Sequence, residues 1–211
     1  MPRFLTIPAA ICALLAALGA PAPAADKPGD PTDATVPRQV VEKAIQKVLA
    51  ILSDEKLADP AKAEERHGKI RSVLLEVVDM DIVSTLTLAN YRTKFSVAQL
   101  RQFKEEFSTL LFQTYITHLE EYKGETVSTQ KAVRLSKSRA LIMTKVKEAD
   151  KEMPVDFAMI LRGKDWVLYD VRVEGVSMVG NYREQFRDIL SKGSVDRFLE
   201  RLKEIKPDKG K

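Results

Sequence analysis

Apolar residues recur along this chain first at helical and then at strand spacing. From Pro37, the residues Val40, Val41, Ile45, Val48, Leu49 and Leu52 fall on one stripe, which predicts an amphipathic helix. Asp59-Pro60 predicts a second start, with Asp59 as N-cap and Pro60 at the first helical position. The stretch "IRSVLLEVVDMDIVSTLTLANY" that follows is apolar on more than one face, which predicts a buried helix or a pair of short helices. "SVAQ" at 96–99 has the form of a capping box: Ser96 covers an orphan amide and Gln99 reaches back. The helix behind it carries Leu100, Phe103, Phe107, Leu110, Leu111, Thr114, Tyr115, Leu119 and Tyr122, and Gly124 ends it.

From Glu125 the period changes from 3.6 to 2. "ETVSTQKAV" and "ALIMTKVKEAD" are candidate strands. "MPVDFAMILRG" puts Val155, Phe157, Met159 and Leu161 on one side, and "WVLYDVRVEG" returns with Val167, Tyr169, Val171 and Val173 on one face. The turn between them, Gly163-Lys164-Asp165, makes the pair a hairpin. Two further helices follow, over 177–192 and 194–205, with Gly193 between them. Helices, then a meander, then helices predict an α+β fold with helices packed on one face of a twisted antiparallel sheet.

The ends of the chain read differently. Arg3 followed by an apolar run at 4–18 and the small residues Ala22 and Ala24 has the form of a signal peptide over 1–25. The same run also fits an uncleaved N-terminal anchor, although it is short for a membrane span. Residues 26–36 are rich in proline, aspartate and threonine and read as a disordered leader, 37–205 as one domain, and 206–211 as a flexible tail. Cys12, the single cysteine, lies in the apolar run, so a processed chain has no disulfide, thiol chemistry or cysteine metal site. The net charge is +4, and only Arg3 is charged before Asp26, leaving +3. Acids and bases alternate without a basic block interleaved with aromatics, so no nucleic acid is expected. Transient contact with an anionic membrane surface stays open.

Catalytic groups are scarce. "GVSMV" at 175–179 misses the nucleophile elbow, because Val179 stands where the second glycine belongs; Ser177 reads instead as the N-cap of the next helix. His67 lies in the charged run "EERHGK" and reads as a surface residue, while His118 lies beside the aromatic stripe. Two histidines in separate contexts make no zinc site, and no phosphate-binding glycine loop is present, so neither a metal nor another cofactor is expected. Asp156, Asp165 and Asp170 alternate with apolar residues along the hairpin, where carboxylates usually point to solvent.

The apolar candidates form three groups. The long helix offers Phe103, Phe107, Leu111 and Tyr115; the strands offer Val155, Phe157, Met159, Tyr169 and Val171; the joint after them offers Val176, Met178, Val179 and Tyr182. An ordinary core and a deformable apolar cavity both fit these residues, and periodicity does not separate the two.

Two stretches carry a resemblance. "LYDVRVEGVSMVGNYREQFRDILSKGSVDRFLERL" and "LTLANYRTKFSVAQLRQFKEEFSTLLFQTYITHLEEYKGETV" resemble the MlaC/Ttg2D family of periplasmic phospholipid-binding, toluene-tolerance proteins. The likeness extends over about 37–205, and its motifs are specific in combination rather than singly. It implies an NTF2-like shape in which sheet and helices enclose a lipid cavity, with the three groups above, Val179 excepted, as its lipid-binding wall. It implies a soluble carrier of phospholipid across the periplasm, with an inner-membrane MCE-domain ABC transporter and an outer-membrane lipoprotein complex as partners. A hopanoid carrier of a sister branch is the nearest alternative, and an NTF2-like enzyme with an aspartate base is the alternative from another class.

Overall fold

The computed structural model describes residues 33–120, 126–148 and 151–205, without the side chains of Thr117, His118, Glu120 and Glu148. The expected signal peptide, most of the leader, Tyr122, Gly124, the side chain of His118 and the tail lie outside the described residues. Helix α1, Thr35–Leu52, begins two residues before Pro37. A proline lacks only an amide that the first turn leaves unpaired anyway, so the turn forms around it.

The segment after Asp59 divides. Asp59 caps a short 3-10 turn, Pro60–Lys62, through the Ala61 amide at 2.9 Å. Helix α2, Ala63–Val77, follows, and α3, Met80–Leu88, starts afresh at Asp79. The Asp79 carboxylate accepts from the amides of Asp81 and Ile82, both at 3.0 Å, and is paired with Arg162. The apolar run is thus the pair of helices, broken where an aspartate caps the second. Helix α4, Val97–Glu120, starts with the expected reciprocal box: the Ser96 amide donates to Gln99 Oε1 at 2.8 Å and the Gln99 amide to Ser96 Oγ at 3.2 Å. Among the described residues, no helix is long and apolar enough to cross a membrane.

The strands are β1 Thr126–Ser136, β2 Arg139–Glu148, β3 Lys151–Arg162, β4 Asp165–Val173 and the two-residue β5, Val176–Ser177. They form one open antiparallel sheet in chain order. One face is buried: Ala140, Ile142, Thr144 and Val146 of β2 lie opposite Met159, Phe157, Val155 and Met153 of β3. On the alternate positions, Met143, Lys145 and Lys147 are exposed. That is the period-2 pattern of a sheet covered on one side.

Strand β4 departs from the expected single face. Ala158 pairs with Asp170 but Met159 pairs with Leu168, so Tyr169 is an extra residue in a bulge. The bulge changes the alternation. Trp166 and Leu168 share the buried face with Val173, whereas Val167, opposite Ile160, falls on the other side. Glu174 and Gly175, with φ of 51° and 81°, turn the chain into β5 and then into α5, Met178–Leu190, and α6, Val195–Glu204.

Helices α3 to α6 enclose a filled aromatic core. Phe103 stacks on Phe107 with ring centres 5.3 Å apart and meets Phe186 and Phe198 at 5.8 Å. Such ring pairs add to the stabilisation from apolar burial alone.

Candidate functional site

Between α1, α2, α4 and the buried face of the sheet lies a cavity of about 280 Å³ with almost wholly apolar walls. Close-packed interiors have few voids larger than a water molecule, so this space is not ordinary packing slack. It opens to solvent on the α2 side, where Leu75 is on the wall yet 48% exposed.

The border between core and cavity runs through α4. Phe107 is fully buried in the aromatic core and also touches the cavity. One turn earlier, Phe103 is wholly within the core; one and two turns later, Leu111 and Tyr115 line the cavity. Of the expected wall residues, Val155, Phe157, Met159, Tyr169, Val171, Met178 and Tyr182 also reach it. Phe103 and Val176 do not. Phe103 is enclosed by other rings, and Val176 is 50% exposed because the short β5 directs it to solvent. The bulge has a clear consequence here: Leu168, Tyr169, Asp170 and Val171, four residues in a row, all contact the cavity. A regular strand would present only two of them.

The sequence reading missed the far wall. Val41, Ile45 and Val48 of α1, Leu74 of α2 and Val78, the extended residue that follows α2, line the cavity as well. The stripe on α1 was visible, but periodicity gives a face and not the gap in front of it. A second signal was present on α2: Arg71, Leu74 and Leu75 stand at helical spacing, one arginine within an apolar stripe.

Among the described residues, two ionic ones line this wall, Arg71 and Asp170. Asp170 is buried, against the expectation for the hairpin carboxylates, and holds the start of α5. Its Oδ2 accepts from Ser177 Oγ at 2.7 Å, and its Oδ1 accepts from the Val179 amide at 3.0 Å. Arg172 Nε lies 3.7 Å from Oδ2. Ser177 Oγ accepts in turn from the Gly180 amide at 2.8 Å, as an N-cap should. A β-carbon at Gly180 would stand 3.0 Å from that oxygen, so the glycine allows the close approach.

Tyr115 and Tyr182 meet at the same wall. Burial raises the Tyr115 hydroxyl well above the usual phenol range, and the Tyr182 hydroxyl, its hydrogen bond and the Asp170 charge raise it further. Burial also raises Tyr182, against hydrogen bonds from Thr114 and Tyr115 that lower it. Asp156 is raised as well, by burial and against the lowering effect of Arg172. It alternates with Val155 and Phe157, so it belongs to the sheet face turned away from the cavity. His67 is half-buried rather than a surface residue, and its ring meets Phe112 edge-on at 6.2 Å.

The comparisons agree with this architecture. The chain is 26% identical over 165 residues to the toluene tolerance protein ttg2D of Pseudomonas putida, covering 77% of each chain. It is 21% identical over 179 residues to the intermembrane phospholipid transport system binding protein MlaC of Haemophilus influenzae, covering 81% of this chain and 82% of that one. The fold is similar to that of a phospholipid-binding protein from Ralstonia solanacearum solved in complex with a phospholipid. The TM-score is 0.73 at 19% identity, over 79% of this chain and 94% of that one. The family model described as MlaC protein matches residues 42–204, the span expected from the two motif-bearing stretches, and the chain therefore belongs to the MlaC family.

Proposed function

We propose that this protein is a periplasmic phospholipid carrier, moving lipid between an inner-membrane MCE-domain ABC transporter and an outer-membrane lipoprotein complex. The observation that carries the reading is the apolar cavity of about 280 Å³ that opens beside Leu75. An apolar wall of this extent facing solvent is unfavourable, and an apolar ligand that covers it removes that cost. The ligand gains too. Two acyl chains have about thirty methylenes, and exposing them to water costs on the order of 20 kcal/mol at about 0.8 kcal/mol each. A protein that offers them a dry wall removes most of that barrier to crossing an aqueous space.

The relatives support the reading. One is a binding protein of intermembrane phospholipid transport, and the Ralstonia protein of similar fold holds a phospholipid. Residues 1–25 would act as the export signal and 37–205 as the lipid-binding domain. The wall is formed by Phe107, Leu111 and Tyr115 facing Val155, Phe157, Met159, Tyr169 and Val171, with Met178 and Tyr182 at one side. Transfer makes and breaks no covalent bond, so the site needs no nucleophile or base. Asp170, the one carboxylate on the wall among the described residues, has both oxygens engaged in holding α5.

Native mass spectrometry with lipid extraction, on protein purified from the periplasm of its host, tests the proposal. Phospholipid should leave with the protein at about one molecule per chain. Recovery of a hopanoid would transfer the function to polycyclic lipids, and recovery of protein without any lipid would sink the carrier reading.

A further inference from the structure

We propose that Arg71 binds the phosphate of the carried lipid at the rim of the cavity, which makes the ligand an anionic phosphodiester lipid rather than a neutral one. The inference rests on the carrier reading above and deepens it. Arg71 and Leu75 are one helical turn apart on α2, and both line the cavity where it meets solvent. The Arg71 guanidinium lies 5.6 Å from the centre of the Phe112 ring, another wall residue, and the residue is half-buried. Packing over an aromatic face holds its planar fork in place and removes part of its hydration.

What Arg71 lacks, among the described residues, is an anion. Among the described residues it has no carboxylate partner and no hydrogen bond. The nearby acids of α2 are engaged elsewhere: Glu65 pairs with Lys69 at 2.8 Å, and Glu76 pairs with Lys47 of α1. Asp170, the other charge on the wall, is held by Ser177 and Val179. Among the described residues, Arg71 is therefore the one cation on the wall without an anion beside it, placed where an apolar interior gives way to water. A phospholipid has the matching order of groups, apolar chains and then a phosphate. An arginine binds phosphate through two parallel charge-assisted hydrogen bonds, and a neutral polycyclic lipid or diacylglycerol offers nothing equivalent. A free phosphate ion has the same anion chemistry without the chains, so the test must separate the two sources.

The full mature chain, stripped of lipid, would be titrated calorimetrically with dioctanoyl-phosphatidylglycerol, dioctanoylglycerol and inorganic phosphate. Arg71→Gln and Arg71→Met, the latter keeping the apolar stem over Phe112, should each bind phosphatidylglycerol at least tenfold more weakly. Their affinity for dioctanoylglycerol should stay within twofold of wild type. On the unmutated chain, the Arg71 Nε–H resonance should shift with phosphatidylglycerol and not with dioctanoylglycerol, a reading that needs no variant to fold. Equal losses for both lipids, no loss for either, or an Arg71 resonance that ignores phosphatidylglycerol would overturn the assignment of Arg71 alone. Inorganic phosphate binding as tightly as phosphatidylglycerol would assign the site to the free ion and overturn it too. A wild-type chain that binds neither lipid would overturn the carrier reading, and this inference with it.

Discussion

Ser177 Oγ donates to Asp170 Oδ2 at 2.7 Å while accepting from the Gly180 amide, so one hydroxyl joins the end of β4 to the start of α5. The pair resembles the beginning of a catalytic relay but ends in a helix cap. Ser177→Ala should cost about 0.5–2 kcal/mol in urea unfolding, the usual worth of an N-cap. Asp170→Ala removes bonds to both Ser177 and the Val179 amide and should cost more, since each buried bond is worth about 1 kcal/mol and the amide is left unpaired. Lipid binding by folded Ser177→Ala protein should match wild type; loss of binding at unchanged stability would return Ser177 to the list of reactive groups.

Leu111 and Phe103 are two turns apart on α4 and should respond in opposite ways. Leu111→Trp projects into empty space, so it should reduce bound lipid per protein with little change in the melting temperature of delipidated protein. Phe103→Ala opens a hole in the filled core and should cost about 3–5 kcal/mol. The idea of a border at Phe107 fails if both variants unfold in step with their loss of lipid.

Alkaline stability should report the buried tyrosines. Tyr115 and Tyr182 have folded-state ionisation raised above that of an unfolded phenol. Above about pH 10, the usual tyrosine value, the unfolded chain releases these protons while the folded chain keeps them. The unfolded state then binds fewer protons, and stability falls as pH rises. Urea midpoints measured between pH 8 and 11 should fall less steeply in Tyr115→Phe than in wild type; parallel curves would remove Tyr115 from the account.

Export leaves a simple mark. The mature chain recovered from the periplasm should begin at Ala25 or Asp26, following the small residues Ala22 and Ala24. Intact mass spectrometry reads this directly, and an intact Met1 in the membrane fraction would contradict it.

The parts of this fold that were legible in sequence are those fixed by neighbours. The Ser96–Gln99 box and the Ser177 cap both span three residues and formed as read. The hairpin around Gly163, with φ of 62°, was equally local. The bulge at Tyr169 was not, because it is set by which residues of β3 pair across the strand, and "WVLYDVRV" alternates plausibly in either phase. The candidate site divided on the same principle. Ten of the twelve expected residues reach the cavity, since stripes identify inward faces. Phe103 and Val176 do not, and α1 and α2 went unassigned, because only the packing of distant elements decides which inward face meets a neighbour and which meets a gap. Asp170 was hidden for a related reason: its partners on α5 follow a turn that brings them back over the strand.

The division of the interior at Phe107 has a consequence for the working cycle. A carrier travels empty on every return journey, and a protein whose whole core depended on cargo would come apart after each delivery. Here the rings of Phe103, Phe186 and Phe198 pack against one another and owe nothing to the cavity's contents. The α3–α6 half can remain a fixed keel while α1, α2 and the rim adjust to loading. Amide exchange on the empty protein should therefore stay slow around Phe186 and quicken in α1 and α2, which makes unloading a local loosening and leaves the molecule ready for the next lipid.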